Sequence, residues 1–144
     1  MNSDDTQYVE AIETINTSSS RVWSVLTNTR SWPKWWSGHT LVKAVPTWQK
    51  NAELVWNKGR EAIIYEFEPQ KLLDFGGVNM GMEMHHSFKL IEDSNSTKVV
   101  YRFSVKGADF GHKEEEVEKI KNTLSKLKKV CEHSNVRKWW QFWA

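Results

Sequence analysis

From His39 to Lys106 the side chains alternate in character with a period of two, and from Lys113 to His133 apolar residues recur at intervals of three and four. The first pattern makes strands with one apolar face, and such a face needs a cover that excludes water. The second can supply it. Val117, Ile120, Leu124, Leu127 and Cys131 form one apolar stripe with charged residues between them. Glu114, Glu115, Glu116 and Glu118 stand near the start of that segment and Lys126, Lys128 and Lys129 near its end, the order a helix dipole favours.

Six strands are expected in the alternating region, at about residues 40–45, 52–57, 60–68, 72–78, 82–91 and 97–106. Pro46, Lys58-Gly59, Glu68-Pro69-Gln70, a stretch with Gly76, Gly77 and Gly81 read as a turn, and Asp93-Ser94-Asn95 separate them. In the last two, Met82, Met84, His86, Phe88 and Leu90 share a face, as do Val99, Tyr101, Phe103 and Val105. Upstream, residues 8–15 alternate as a further strand with Val9, Ala11, Glu13 and Ile15 on one side. Hydroxyls from Thr17 to Ser20 can cap a short helix through Val22, Val25 and Leu26. Ser31 can cap a second helical turn through Trp32-Pro33-Lys34-Trp35-Trp36, with Pro33 tolerated in its first turn. No repeat or linker interrupts the body of the 144 residues, which are read as one domain over 1–135 and a Trp-rich tail over 136–144.

Composition narrows the function classes. Twenty Lys and Arg against 18 Asp and Glu leave a net charge of +2, evenly spread and too small for a phosphate-tracking surface, so nucleic acid is not an expected partner. A single Cys131 makes neither an intrachain disulfide nor a CxxC pair, which points to a reducing cytosol. The opening MNSDDTQ lacks the character of a signal peptide, and no apolar run approaches the ~18 residues of a membrane span. His85 and His86 are adjacent and so point to opposite faces. Glu83 and His85 share the outer face without a third ligand, so no metal and no other cofactor is expected. No nucleophilic triad stands out, and Cys131 reads as a small core residue.

Strand, two short helices, six antiparallel strands and a long C-terminal helix is an order that resembles the START-related helix-grip superfamily (SRPBCC), which includes polyketide cyclase/dehydrase-like and pollen-allergen-like proteins. The resemblance is carried by Ile15 with the hydroxyl-rich cap after it, Val22-Trp23, Leu26-Thr27-Asn28, the trio Trp32, Trp35 and Trp36, and the strand exit Phe67-Glu68-Pro69-Gln70-Lys71-Leu72-Leu73. Ser18 stands where many relatives carry Pro, a change that keeps the cap. The resemblance implies an α+β helix-grip fold. A curved seven-stranded antiparallel sheet, with two short helices, grips the long helix around an internal cavity that holds a lipid, polyketide or other apolar small molecule.

The alternation aims four polar groups at that cavity, Glu13, Tyr65, His86 and Tyr101, among Ile63, Phe67, Met84, Phe88 and Phe103. Val117, Ile120 and Leu124 close it from the helix, while Trp36 and Trp56 either pack in the core or wall the pocket. The leading expectation is a non-catalytic binder or carrier of an apolar molecule. A rival is a cyclase or dehydratase with Glu13 or His86 as the base and Tyr65 or Tyr101 as a donor, since a desolvated carboxylate beside an imidazole can exchange protons. A third reading is a co-chaperone-like interaction module with a collapsed cavity. In the tail RKWWQFWA, Val136, Trp140 and Trp143 fall out of phase with the helix stripe, so a break is expected near Ser134-Asn135. That tail can fold back on its own body, pack on a second subunit of a homodimer, or touch a membrane interface weakly; a monomer and a homodimer both stay open.

Overall fold

The computed structural model describes residues 6–36, 41–57, 61–107 and 110–141, with the side chains of Val42, Glu61 and residues 134–141 outside that description. Strand β1 (Thr6–Ile15) leads into helix α1 (Ser19–Leu26), a 3-10 turn at Thr29–Ser31 and the short helix α2 (Trp32–Trp35). Six strands follow: β2 (Leu41–Val45), β3 (Glu53–Trp56), β4 (Glu61–Glu68), β5 (Leu72–Asn79), β6 (Met82–Asp93) and β7 (Ser96–Lys106). Helix α3 (Lys113–Gln141) completes the order. All strands join one antiparallel sheet in the order β1-β7-β6-β5-β4-β3-β2. A meander from β2 to β7 leaves the first strand to close onto the last.

Local chemistry explains the turns and caps. Ser18 accepts the backbone N–H of Arg21 (3.2 Å) at the start of α1, as its hydroxyl predicts. Ser31 does not cap α2; its Oγ donates instead to the carbonyls of Val25 (2.6 Å) and Asn28 (2.8 Å), and Asn28 caps the 3-10 turn through Arg30 N–H. By bonding carbonyls at and just beyond the end of α1, the hydroxyl ties the two helices together. Between β5 and β6, Met80 and Gly81 both have positive φ (53° and 77°), the left-handed pair that a two-residue hairpin needs. Gly76 and Gly77, expected in a turn, lie inside β5 instead. A Cβ at Gly76 would overlap the backbone carbonyl of Met84, so this glycine serves the close approach of β5 to β6.

The core sits between the inner face of the sheet and the three helices. Ile15, Leu73, Phe88 and Val99 of the sheet are sealed against Leu26, Leu124, Leu127 and Cys131 of the helices. Helix α3 lies along β1 and β7 and also touches α1 and α2. Its C-terminal half is tied down where Lys128 Nζ donates to Thr14 O (2.7 Å) and Asn16 N–H donates to Glu132 (2.7 Å). It runs without the break expected near Ser134-Asn135, because backbone hydrogen bonding continues through residues whose side chains change phase. The side chains of the Trp-rich tail, Trp139, Trp140 and Trp143 among them, and the turn at Lys58-Gly59 lie outside the described residues. Among the described residues no helix is long and apolar enough to cross a membrane.

Gly76→Ala should destabilise the protein by about 3 kcal/mol or more, since the obstacle is backbone and cannot rotate away. Gly81→Ala meets open space and bears only the strain of positive φ, so urea unfolding should rank it well below Gly76→Ala in cost.

Candidate functional site

The register sets the inner wall row by row. Val9 on β1 faces Phe103 on β7, Phe103 faces His86 on β6, and His86 faces Phe75 on β5. One row further along, Ala11, Tyr101, Phe88 and Leu73 lie side by side. Alternation on strands keeps every one of these side chains on the face that α1, α2 and α3 cover. His86 lies flat between the rings of Phe75 and Phe103 (centroids 5.1 and 4.8 Å), and Trp36 meets it edge-on at 4.9 Å. Its Nδ1 is 2.7 Å from the hydroxyl of Tyr101, which is itself buried and stacks on Phe88.

Burial differs from one end of this wall to the other. Phe88, Leu90, Tyr101 and Val99 of the sheet are sealed, as are Ile120 and Leu124 of α3. Met84, His86, Phe103, Trp36 and Val117 all retain accessible surface. His86 is set among rings on the central part of the sheet and is partly buried, and no hydrogen bond is made by its Nε2 among the described residues. On either side of His86, α3 stands over β1 and β7 and the indole of Trp36 packs on Phe75 of β5 and on His86 of β6.

Desolvation governs the electrostatics here. Burial, helped by repulsion from His85, pushes the imidazole of His86 down from an ordinary 6.5 to about 3. Burial and the charge of Glu116 both push the phenol of Tyr101 far up. Both groups are therefore neutral at physiological pH. Glu116, half-buried in the first turn of α3 and bonded to Lys119 Nζ (3.2 Å), is a residue that sequence reasoning left among the surface charges. Its position four residues before Ile120, on the same helix stripe, is the signal that pointed inward. Cys131 is buried and its thiol is pushed up to about 12 by burial, so it is an unreactive core group.

Glu13 does share the inner face, half-buried beside Val99. The register puts it two strands across and four residues along from His86, ~16 Å away by strand spacing, so the proposed acid/base pair is not assembled. Ile63 and Tyr65 were expected on the inner face with Phe67, and the structure corrects this. A bulge between Ile64 and Glu66 inserts one residue into β4, so Ile64 and Phe67 face inward while Ile63 and Tyr65 face outward. Tyr65 stacks on His85 at 4.2 Å on the outer face. There the Nδ1 of His85 lies 3.1 Å from Asp74 Oδ1 and its Nε2 2.8 Å from Glu83 Oε2. The two carboxylates sit at opposite ring nitrogens, and no group of three His, Cys, Asp or Glu able to hold a metal occurs among the described residues. Trp56 is buried in an aromatic cluster with Trp32 and Trp36, and Trp36 alone of the three reaches the free surface near His86.

Comparison with known proteins agrees with this architecture. A family model described as "Polyketide cyclase / dehydrase and lipid transport" matches residues 6–132. Among solved structures, a protein of the dynemicin biosynthetic locus superposes with a TM-score of 0.72 at 17% identity, covering 90% of this chain and 48% of that one. CalU16 from Micromonospora echinospora gives 0.69 at 14% identity, covering 87% of this chain and 74% of that one. A conserved protein of unknown function from Enterococcus faecalis gives 0.67 at 17%, with 88% and 72% covered. The chain thus spans about half of the first of these, and at such identities the likeness is one of fold. No curated protein sequence matches significantly.

Two outcomes follow from the buried pair. Tyr101→Phe and His86→Phe should each cost about 1–3 kcal/mol by stranding the other partner, while the double variant should cost clearly less than their sum, measured by urea unfolding. An additive double variant would show that the two do not interact. Since the fold keeps His86 neutral and an unfolded chain protonates it near 6.5, its contribution is complete above that pH and is lost as pH falls toward 3. Wild type should therefore lose up to about 1.4 kcal/mol per pH unit more than His86→Phe over that window; parallel profiles would refute it.

Proposed function

The chain belongs to the polyketide cyclase / dehydrase and lipid transport family, and from that premise we propose that it binds and carries one apolar small molecule between the inner face of its sheet and α3, without converting it. The observation that supports this reading is His86, deep among aromatic rings and still holding accessible surface. Met84, Phe103, Trp36 and Val117 flank the same space and are partly open too. Such a wall, mainly apolar with a few placed polar groups, is how small-molecule sites are built.

Catalysis by the expected residues has little support. An imidazole near 3 is a weak base at neutral pH, and a base works best with a pKa near the operating pH. Glu13 is too far from His86 to share a proton through one water. Tyr65 is on the other side of the sheet.

Native mass spectrometry of the purified protein, gentle and then denaturing, should show one apolar adduct per chain or, after delipidation, saturable uptake of Nile red, and it counts subunits in the same spectrum. Met84→Trp, which places a larger ring in the space, should weaken Nile red binding about tenfold or more with little change in the unfolding midpoint. A wild-type protein that neither carries an adduct nor takes up the probe would sink the proposal and favour the interaction module.

A further inference from the structure

His86 has two ring nitrogens, and among the described residues only Nδ1 has a hydrogen-bond partner, the Tyr101 hydroxyl at 2.7 Å. A neutral imidazole carries one proton, and its place is set by what the other nitrogen bonds. The Tyr101 hydroxyl is sealed and has no second acceptor among the described residues, so its own proton goes to Nδ1. The proton of His86 is then on Nε2, the nitrogen with no hydrogen-bond partner among the described residues. Rings on both faces and one edge allow the imidazole little rotation. The wall thus presents one fixed N–H donor at the bottom of an aromatic slot.

Charge around that donor is one-sided. On α3 the nearest ionised group is Glu116, close enough to act on Tyr101 and already engaged with Lys119. On β1 the inward charged group is Glu13. On β6 and β7 the alternation sends Lys89, Lys98, Arg102 and Lys106 to the outer face, where Arg102 bonds Glu10 and lies over Tyr8. Among the described residues, no Lys or Arg of β1, β6 or β7 points to the inner face beside His86.

We infer that the site selects an uncharged apolar ligand carrying an oxygen acceptor, a ketone or similar carbonyl, which takes the Nε2–H of His86, and that it discriminates against carboxylate amphiphiles such as free fatty acids. The inference rests on the binding site proposed above and adds its recognition chemistry. A carbonyl oxygen gains the donor at no charge cost, whereas a carboxylate would be stripped of water near Glu116, whose Lys119 partner is already engaged. A plain hydrocarbon fits the slot and leaves the buried N–H without an acceptor.

Three rigid probes of nearly the same shape separate these cases: fluorene, 9-fluorenone and fluorene-9-carboxylate, titrated against tryptophan fluorescence. 9-Fluorenone should bind about fivefold or more tighter than fluorene, and the carboxylate about tenfold or more weaker than the ketone. His86→Phe should erase the ketone's advantage and leave fluorene binding in place. The carbonyl stretch of bound 9-fluorenone should move to lower wavenumber in wild type, a signature of hydrogen bonding that stands even where the variant fails to fold. Equal affinity for ketone and hydrocarbon, an unshifted stretch, or a ketone preference that survives His86→Phe would overturn the donor assignment while leaving the binding site intact. Tightest binding of the carboxylate would overturn the charge selectivity. Failure of all three to bind while Nile red binds would overturn the inference alone; failure of every probe, Nile red included, would overturn the binding site with it.

Discussion

The packing of Trp32 holds the rest of the structure in place. Its Nε1 donates to the carbonyl of Leu26 (2.9 Å), which fastens α2 to the end of α1, and its ring meets Trp35, Trp36, Trp48, Trp56 and Phe75. An indole buried with its N–H satisfied combines a large apolar area with no polar cost. Through it the two short helices cover the half of the sheet that α3 does not reach, and Trp36 is brought to the edge of His86. Without that anchor the inner face of β5 and β6 would have no lid.

Two covers share one curved face, and burial differs along it. Where α3 lies against β1 and β7 the core is dry and closed, with Leu124, Leu127 and Cys131 fully buried. Toward the start of α3, Val117 on the helix and Met84, His86 and Phe103 on the sheet keep surface. The polar pair His86 and Tyr101 stands on the boundary between these regions, one partner sealed and the other open. Low dielectric keeps both neutral, which converts an imidazole and a phenol from titrating groups into fixed dipoles. A neutral His86 is better suited to holding a ligand than to moving its protons.

Much of this was legible in the sequence. The seven strands, the capped first helix and the stripe from Val117 to Cys131 follow from periodicity, because one-sided burial repeats every two residues on a strand and every three or four on a helix. The inward placement of Glu13, Met84, His86, Phe88, Tyr101 and Phe103 came from the same rule and agrees with the register. Ile63 and Tyr65 did not, because a bulge adds one residue and reverses every face before it, and no residue type in Ile63-Ile64-Tyr65-Glu66 marks its position. Glu116 was passed over because a run of glutamates reads as a solvated helix start.

The sequence by itself determined which residues alternate, where helices begin and which face of each element is apolar, since these depend on neighbours a few positions apart. Tertiary structure alone decided which of those inward groups meet. Tyr101 reaches His86 because β6 and β7 are adjacent in this register, and Glu13 misses it because β1 joins the sheet beyond β7. It also decided that His86 is neutral, since a pKa answers to the depth of burial and to charges brought near from distant parts of the chain. Contacts across the sheet depend on pairing offsets that periodicity leaves free, and only the folded chain fixes them.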